Sequence, residues 1–259
     1  MKVVPVARAA ALTLIAGALG GAALLAVEVA AARRRQYAEP RFDLGLRATV
    51  GRDDAPPLRL VLLGDSASLG VGVDRLSDTL GGQLAELLAN QGPDARQVHL
   101  SSVGVVGSRS VDLSTQVARA LVGERPDVAV ILIGTHDVTS LRRPAEVAAH
   151  LGAAVRRLRE AGVQVVVGTC PDLGAVRAIA PPLRHLIGVL GRRTAQAQAR
   201  AVREAGGTAV DLAAETGAVF RADPSTFCFD GFHPSADGYR VWAHALLPAV
   251  AAAAATTTR

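Results

Sequence analysis

The sequence predicts a three-layer α/β/α domain built around a mostly parallel five-stranded sheet, and three observations predict it. Short, nearly continuous aliphatic runs recur between residues 58 and 212. Longer alanine- and leucine-rich stretches with helical spacing separate them. Polar residues gather just after the runs, where an open parallel sheet places its ligand crevice. Strands covered on both faces read as unbroken apolar runs, and strands that alternate with helices assemble in parallel.

In chain order, the first feature is a stretch with no charge from Ala9 to Val27. About 20 apolar residues at 1.5 Å each cross the hydrocarbon of a bilayer, so residues 1–35 read as a single-span membrane helix. A cleaved signal peptide is the rival, with Ala30, Ala31 and Ala32 as small residues at a cut site. The run is longer than the roughly 7–15 residues of a usual signal core, which favours the uncleaved anchor. Basic residues flank both ends, Lys2 and Arg8 before and Arg33, Arg34 and Arg35 after. Their balance tips weakly towards a cytoplasmic globular domain and leaves the side of the membrane open. Residues 36–57, with Pro40, Pro56 and Pro57, read as a linker.

The expected strands are Leu58 to Leu63, Gln97 to Val103, Val128 to Ile133, Val163 to Gly168 and Thr208 to Leu212. The expected helices are Leu76 to Asn90, Leu113 to Val122, Pro144 to Ala161, Pro182 to Ala205 and Ser235 to Ala255. Residues 58–255 are long enough to bury one three-layer core.

Composition excludes several classes. The chain has 259 residues, 50% of them hydrophobic and 20% charged, which fits neither a disordered polymer nor a polytopic membrane protein. Two cysteines cannot build a disulfide framework or a four-cysteine zinc site. Residues 1–41 hold six basic residues against two acidic ones and so account for four of the five net positive charges. The rest of the chain is only +1, and since nucleic-acid binding needs clustered cations and usually stacking aromatics, such a partner is not expected.

The residues after the strands carry the chemistry. The first strand delivers Gly64, Asp65 and Ser66, the second Gly104, the third Gly134, Thr135, His136 and Asp137; Asp230 and His233 precede the last helix. A serine hydroxyl is a poor nucleophile until a base takes its proton, and an aspartate on the other imidazole nitrogen fixes the tautomer of such a base. Read together and in this order, Val61-Leu62-Leu63-Gly64-Asp65-Ser66 and Asp230-Gly231-Phe232-His233-Pro234 resemble the SGNH hydrolases, the GDSL esterase and lipase superfamily. The resemblance spans roughly residues 58–250 and implies a flavodoxin-like sheet order.

It also implies roles. Ser66 would be the nucleophile, His233 the general base and acid, and Asp230 its orienting carboxylate. The amides of Ser66 and Gly104 would be oxyanion donors. His136 stands where the family has an asparagine, its third donor; a neutral imidazole also donates one hydrogen bond. A missing donor typically costs about 10²–10³ in turnover, so a catalytically weak binding module is the rival to a membrane-tethered carboxylic ester hydrolase. An acyltransferase with the same residues is the other. No metal or organic cofactor is implied. The partner is a small-molecule, lipid or glycan ester, and oligomeric state is not legible.

The remaining expectations concern the surroundings. Asp65 and Asp137 read as loop carboxylates that accept local amides. His99, His150, His185 and His244 lack a partner at interpretable spacing and read as packing or surface residues. Six of the eight aromatic residues lie between Phe220 and Trp242; Tyr239 and Trp242 read as core, and Phe229 and Phe232 as lining for a substrate pocket. Cys170 and Cys228 both belong near the carboxyl edge of the sheet, with free thiols favoured over a bridge.

Overall fold

The computed structural model describes residues 20–42 and 46–257. A six-stranded sheet runs β1 (Arg47–Val50), β2 (Pro57–Gly64), β3 (Gln97–Ser102), β4 (Val128–Leu132), β5 (Gln164–Gly168) and β6 (Thr208–Val210). Its spatial order is β1-β3-β2-β4-β5-β6. Only β1 is antiparallel, pairing with β3 from Arg47 opposite Ser101 to Val50 opposite Val98. The other five are parallel in the flavodoxin-like order.

The expected count of five strands is therefore corrected to six. The additional strand lies within the segment read as a linker, because Ala48 and Val50 turn inward to pack against the core while Arg47 and Thr49 face outward. The expected last strand stops at Val210, and Leu212 already opens a helix that the sequence reading did not contain.

The helices are α1 (20–34), α2 (Leu80–Ala89), α3 (Leu113–Ala120), α4 (Thr135–Thr139), α5 (Pro144–Glu160), α6 (Leu183–Glu204), α7 (Leu212–Ala222) and α8 (Ala236–Ala255). The expected helix from Leu76 is interrupted at Thr79, whose hydroxyl accepts the Gly82 amide at 3.0 Å and caps α2. Most of the apolar run assigned to a membrane helix lies outside the described residues. Among the described residues no helix is long and apolar enough to cross a membrane.

Side-chain alternation along the strands fills both outer layers. Leu58, Leu60, Leu62, Val128, Val130 and Leu132 face the layer that holds α2 and α8. Val61, Leu63, Ala129, Ile131 and Ile133 face the layer of α3, α5 and α6. Each of these side chains is at most 3% exposed, so truncating one of the leucines to alanine costs about 2–5 kcal/mol.

The order of the strands puts the switch point between β2 and β4, and the two strands part there. Gly64 sits at φ +133°, and a Cβ on it would lie 1.8 Å from the Leu132 carbonyl oxygen. The backbones touch at that point; Asp65 then donates its amide to Leu132 and the chain leaves the sheet.

Candidate active site

Ser66 opens a single 3-10 turn, Ser66–Leu69, directly beyond β2. The Asp65 carboxylate caps it by accepting the Ala67 amide at 3.2 Å. Gly70 and Val71 close the turn, both donating to the Ser66 carbonyl. Among the described residues the Ser66 N–H has no acceptor, so it is a free donor at the foot of its own side chain. Burial raises the Asp65 carboxyl to about 7, against the local amide and the nearby His233. Asp65 is thus the expected cap, on a carboxylate poorly able to hold its charge.

The residues from 227 to 235 form a tight turn ahead of α8. Phe227 bridges to Pro234, the Cys228 amide donates to the His233 carbonyl at 2.9 Å, and Ser235 caps the helix. Inside it the Asp230 carboxylate accepts four hydrogen bonds. Oδ1 takes the amides of Phe232 at 2.7 Å and His233 at 2.9 Å. Oδ2 takes His233 Nδ1 at 2.7 Å and the Ala38 amide at 2.9 Å. Burial opposes the Asp230 charge, but the His233 ring and the three amides outweigh it and hold the carboxyl well below the usual carboxylate range. The ring bond engages Nδ1, and Nε2 has no hydrogen-bond partner among the described residues.

Ser66 and His233, 167 positions apart in the chain, line one cavity of about 40 Å³ together with Leu173, Phe227, Phe232 and Trp242. Of the two residues expected to line a pocket, Phe232 does so. Phe229 does not: its side chain is 79% exposed. The alternation of a tight turn turns 232 inward and 229 out. Tyr239 and Trp242 are core residues as expected, Tyr239 donating its hydroxyl to Val71 O at 2.7 Å.

On the other flank His136 is the second residue of α4, partly buried, and its ring makes no hydrogen bond among the described residues. Burial and the charge of His233 both lower its pKa, against Asp137, so the ring is neutral near pH 7 with one N–H to donate. Asp137 braces more than its own loop. It accepts the Ser110 amide and hydroxyl, each at 2.9 Å, and ties α4 to the loop after β3 across 27 positions. A Cβ on Gly104 would lie 1.8 Å from Ser68 Oγ, so any side chain there would have to displace that hydroxyl. The Gly104 amide donates to Ser102 Oγ at 3.3 Å, a long bond. In the same loop the exposed Gly107 has an N–H with no acceptor among the described residues.

Two groups the sequence reading missed tie the strand ends beside the site to outer helices. Gln116 of α3 takes the Gly64 amide on Oε1 at 2.7 Å and donates to the Gly64 carbonyl at 2.9 Å. Gln198 of α6 takes the Cys170 amide at 2.8 Å and donates to Ile133 O at 2.8 Å. Both are buried glutamines on helices otherwise facing the core, which is the only signal the sequence carries for them.

Cys170 and Cys228 are free. Burial pushes the Cys170 thiol far up and Cys228 up to about 12, so neither is a thiolate near neutral pH. His99 is exposed beside Thr49, His185 and His244 are exposed, and His150 is partly buried on α5. No group of three or more metal-binding side chains occurs among the described residues.

The order of these parts along the chain can be set against known proteins. The model of the GDSL-like lipase/acylhydrolase family matches residues 62–241. The chain belongs to that family. The GDSL-like esterase Rv1075c of Mycobacterium tuberculosis is 42% identical over 195 residues, which make up 74% of this chain. The chain spans 62% of the length of that relative. Among solved structures, Axe2, an acetylxylan esterase from Geobacillus stearothermophilus, superposes with a TM-score of 0.57 at 20% identity over 76% of this chain and 95% of its own. LAE5, an α/β hydrolase enzyme from the metagenome of Lake Arreo in Spain, gives 0.58 at 20% identity over 85% of this chain and 100% of its own. At such identities these two likenesses speak for the fold of the GDSL chain alone.

Proposed function

We propose that this GDSL-family chain is a serine esterase that cleaves carboxylic esters through an acyl-enzyme. One observation carries the reading: Ser66 and His233 line the same cavity while the His233 ring is anchored through Nδ1 to an ionised Asp230. The free Nε2 takes the Ser66 hydroxyl proton as Oγ attacks the ester carbonyl. The carbonyl oxygen becomes an oxyanion, received by the Ser66 N–H and, from the flanking loops, by the Gly104 amide and the His136 ring. When the oxyanion collapses, the bond to the alkoxy oxygen breaks and His233 returns its proton to the departing alcohol. Water then attacks the acyl-Ser66 ester by the same route, releasing the acid and restoring the serine.

A fluorophosphonate probe tests this directly. It should label the wild-type protein at Ser66 and leave Ser66→Ala unlabelled. A folded wild-type protein that takes no label would overturn the proposal in favour of a binding module.

The tether belongs to the same proposal. The uncharged run from Ala9 to Val27, closed by Arg33, Arg34 and Arg35, supports anchoring of the enzyme to a membrane. Labelling intact against permeabilised cells reports the side on which the site lies. Release of the labelled protein by an alkaline carbonate wash would remove the anchor from the reading.

A further inference from the structure

Resting on the esterase reading, we infer that the cavity beside Ser66 is an acyl subsite for a short chain that carries a hydrogen-bond acceptor, with Trp242 Nε1 as the donor that recognises it. Two independent observations meet there. The first is size. The cavity measures about 40 Å³, far below the roughly 300–1,000 Å³ of pockets that take drug-sized ligands, so it suits a short group only. Phe227, Phe232 and Leu173 close it with apolar surface.

The second observation is chemical. Trp242 is 6% exposed and lines the cavity, yet its indole N–H is one of two buried side-chain polar groups among the described residues that have no partner. Its ring is held in place by Phe220 at 5.6 Å and by Tyr239 at 6.1 Å between ring centres. Buried donors are nearly always satisfied, and Trp242 lines the same cavity as Ser66, so an acyl group carried on that serine is the candidate to supply the missing acceptor. An ether, hydroxyl or keto oxygen two atoms from the carbonyl carbon supplies it; a plain alkyl chain leaves the N–H unmet.

The test compares 4-nitrophenyl esters of butyrate, methoxyacetate and octanoate. The first two acyl groups have the same length and differ by one CH₂ replaced with oxygen. The kcat/KM for octanoate should lie at least about 100-fold below that for butyrate. The methoxyacetate-to-butyrate ratio should fall about tenfold in Trp242→Phe, a comparison in which intrinsic ester reactivity cancels. Phe227→Leu should raise octanoate turnover relative to butyrate, which tests the size argument should Trp242→Phe fail to fold. Octanoate used as well as butyrate, or a ratio unmoved by Trp242→Phe, overturns the inference. Fluorophosphonate labelling separates the two levels: a labelled enzyme with a flat ester profile sinks the subsite alone, and an unlabelled one sinks both.

A second inference rests on other atoms. The geometry points to residues 35–38 as a positioning strap for the Asp230–His233 pair. Ala38 donates its amide to the same Asp230 oxygen that holds the imidazole. Tyr37 sets its ring edge-on to Phe232 at 5.4 Å and to His233 at 6.4 Å. The strap is fastened on its far side by Arg35 to Ala178 O and by Glu28 to the Leu183 amide.

Ala38→Pro deletes the donor, whereas Ala38→Gly keeps it. The proline variant should lose about tenfold in kcat with KM within twofold of wild type, and the glycine variant should not. If Ala38→Pro loses its cooperative melt, Tyr37→Leu is read instead: it strips the ring contact and should lower kcat about threefold at constant KM. Wild-type kcat in the folded variant overturns the strap.

Discussion

Two loops flank Ser66, and they are built on opposite terms. On one side the Asp230 carboxylate accepts four hydrogen bonds, and the ring of His233 is held by one of them. On the other, the His136 ring has no hydrogen bond among the described residues, although its helix is pinned through Asp137 to Ser110. One side is finished before any ligand arrives. The other has a fixed backbone and an uncommitted side chain. The difference matches the tasks proposed for them: a base must be aimed in advance, because reorganisation during proton transfer raises the barrier, whereas an oxyanion donor finds its acceptor only once charge develops. It also explains how position 136 departs from the asparagine of the family pattern without disturbing its surroundings.

The comparison breaks most readily at its finished side. Asp230→Asn removes the charge that orients His233 and should lower kcat by about three to four orders of magnitude, measured by burst kinetics on an activated ester. A loss below tenfold would mean that the ring is aimed by packing alone.

Between the two loops lies Asp65, and its effect is on stability. Its carboxyl rises from 3.8 to about 7 in the folded chain. The folded state therefore holds a proton that the unfolded state has lost between those values, and stability falls as pH rises through that window. The expected loss is about 4 kcal/mol and is complete above pH 7. Asp65→Asn keeps an oxygen for the Ala67 amide and should flatten the profile; urea unfolding at pH 5 and pH 8 reads the difference.

Asp137→Ala leaves the buried Ser110 donors without an acceptor and should cost about 1–3 kcal/mol in the same assay. Turnover should fall with it, as α4 loses its tie. The smallest effect is expected at the open side. His136→Asn restores an amide donor and should leave kcat unchanged or raised; a collapse in turnover would give the imidazole a role beyond donation.

Strands β2, β4 and β5 were legible because each is a largely aliphatic run with no partner requirement other than burial; β3, with only Val98 and Leu100 aliphatic, was read from its place in the alternation of strands and helices. Strand β1 was not, since Arg47-Ala48-Thr49-Val50 is short, only half apolar, and sits among prolines and charges. Helix α7 was hidden by continuity: Val210-Asp211-Leu212 reads as the end of a strand until Asp211 is recognised as the cap that accepts the Ala214 amide. At the site, Ser66, Asp230 and His233 could be read because their side chains carry the chemistry. Ala38 could not, since its contribution is a backbone amide 192 positions from the carboxylate it meets. Phe229 and Phe232 were indistinguishable by spacing, and only the turn's direction sorts them.

Gln116 and Gln198 have a consequence for anyone who would redesign the crevice. Gln116 reaches from α3 to the last residue of β2, and Gln198 reaches from α6 to the segments that follow β4 and β5, so the strand ends are tied to outer helices by two side-chain amides. Shortening either to asparagine withdraws that reach by one methylene while the residues lining the entrance stay as they are. The hold on those strand ends is thus set from behind the walls of the site and changes in steps of a single carbon.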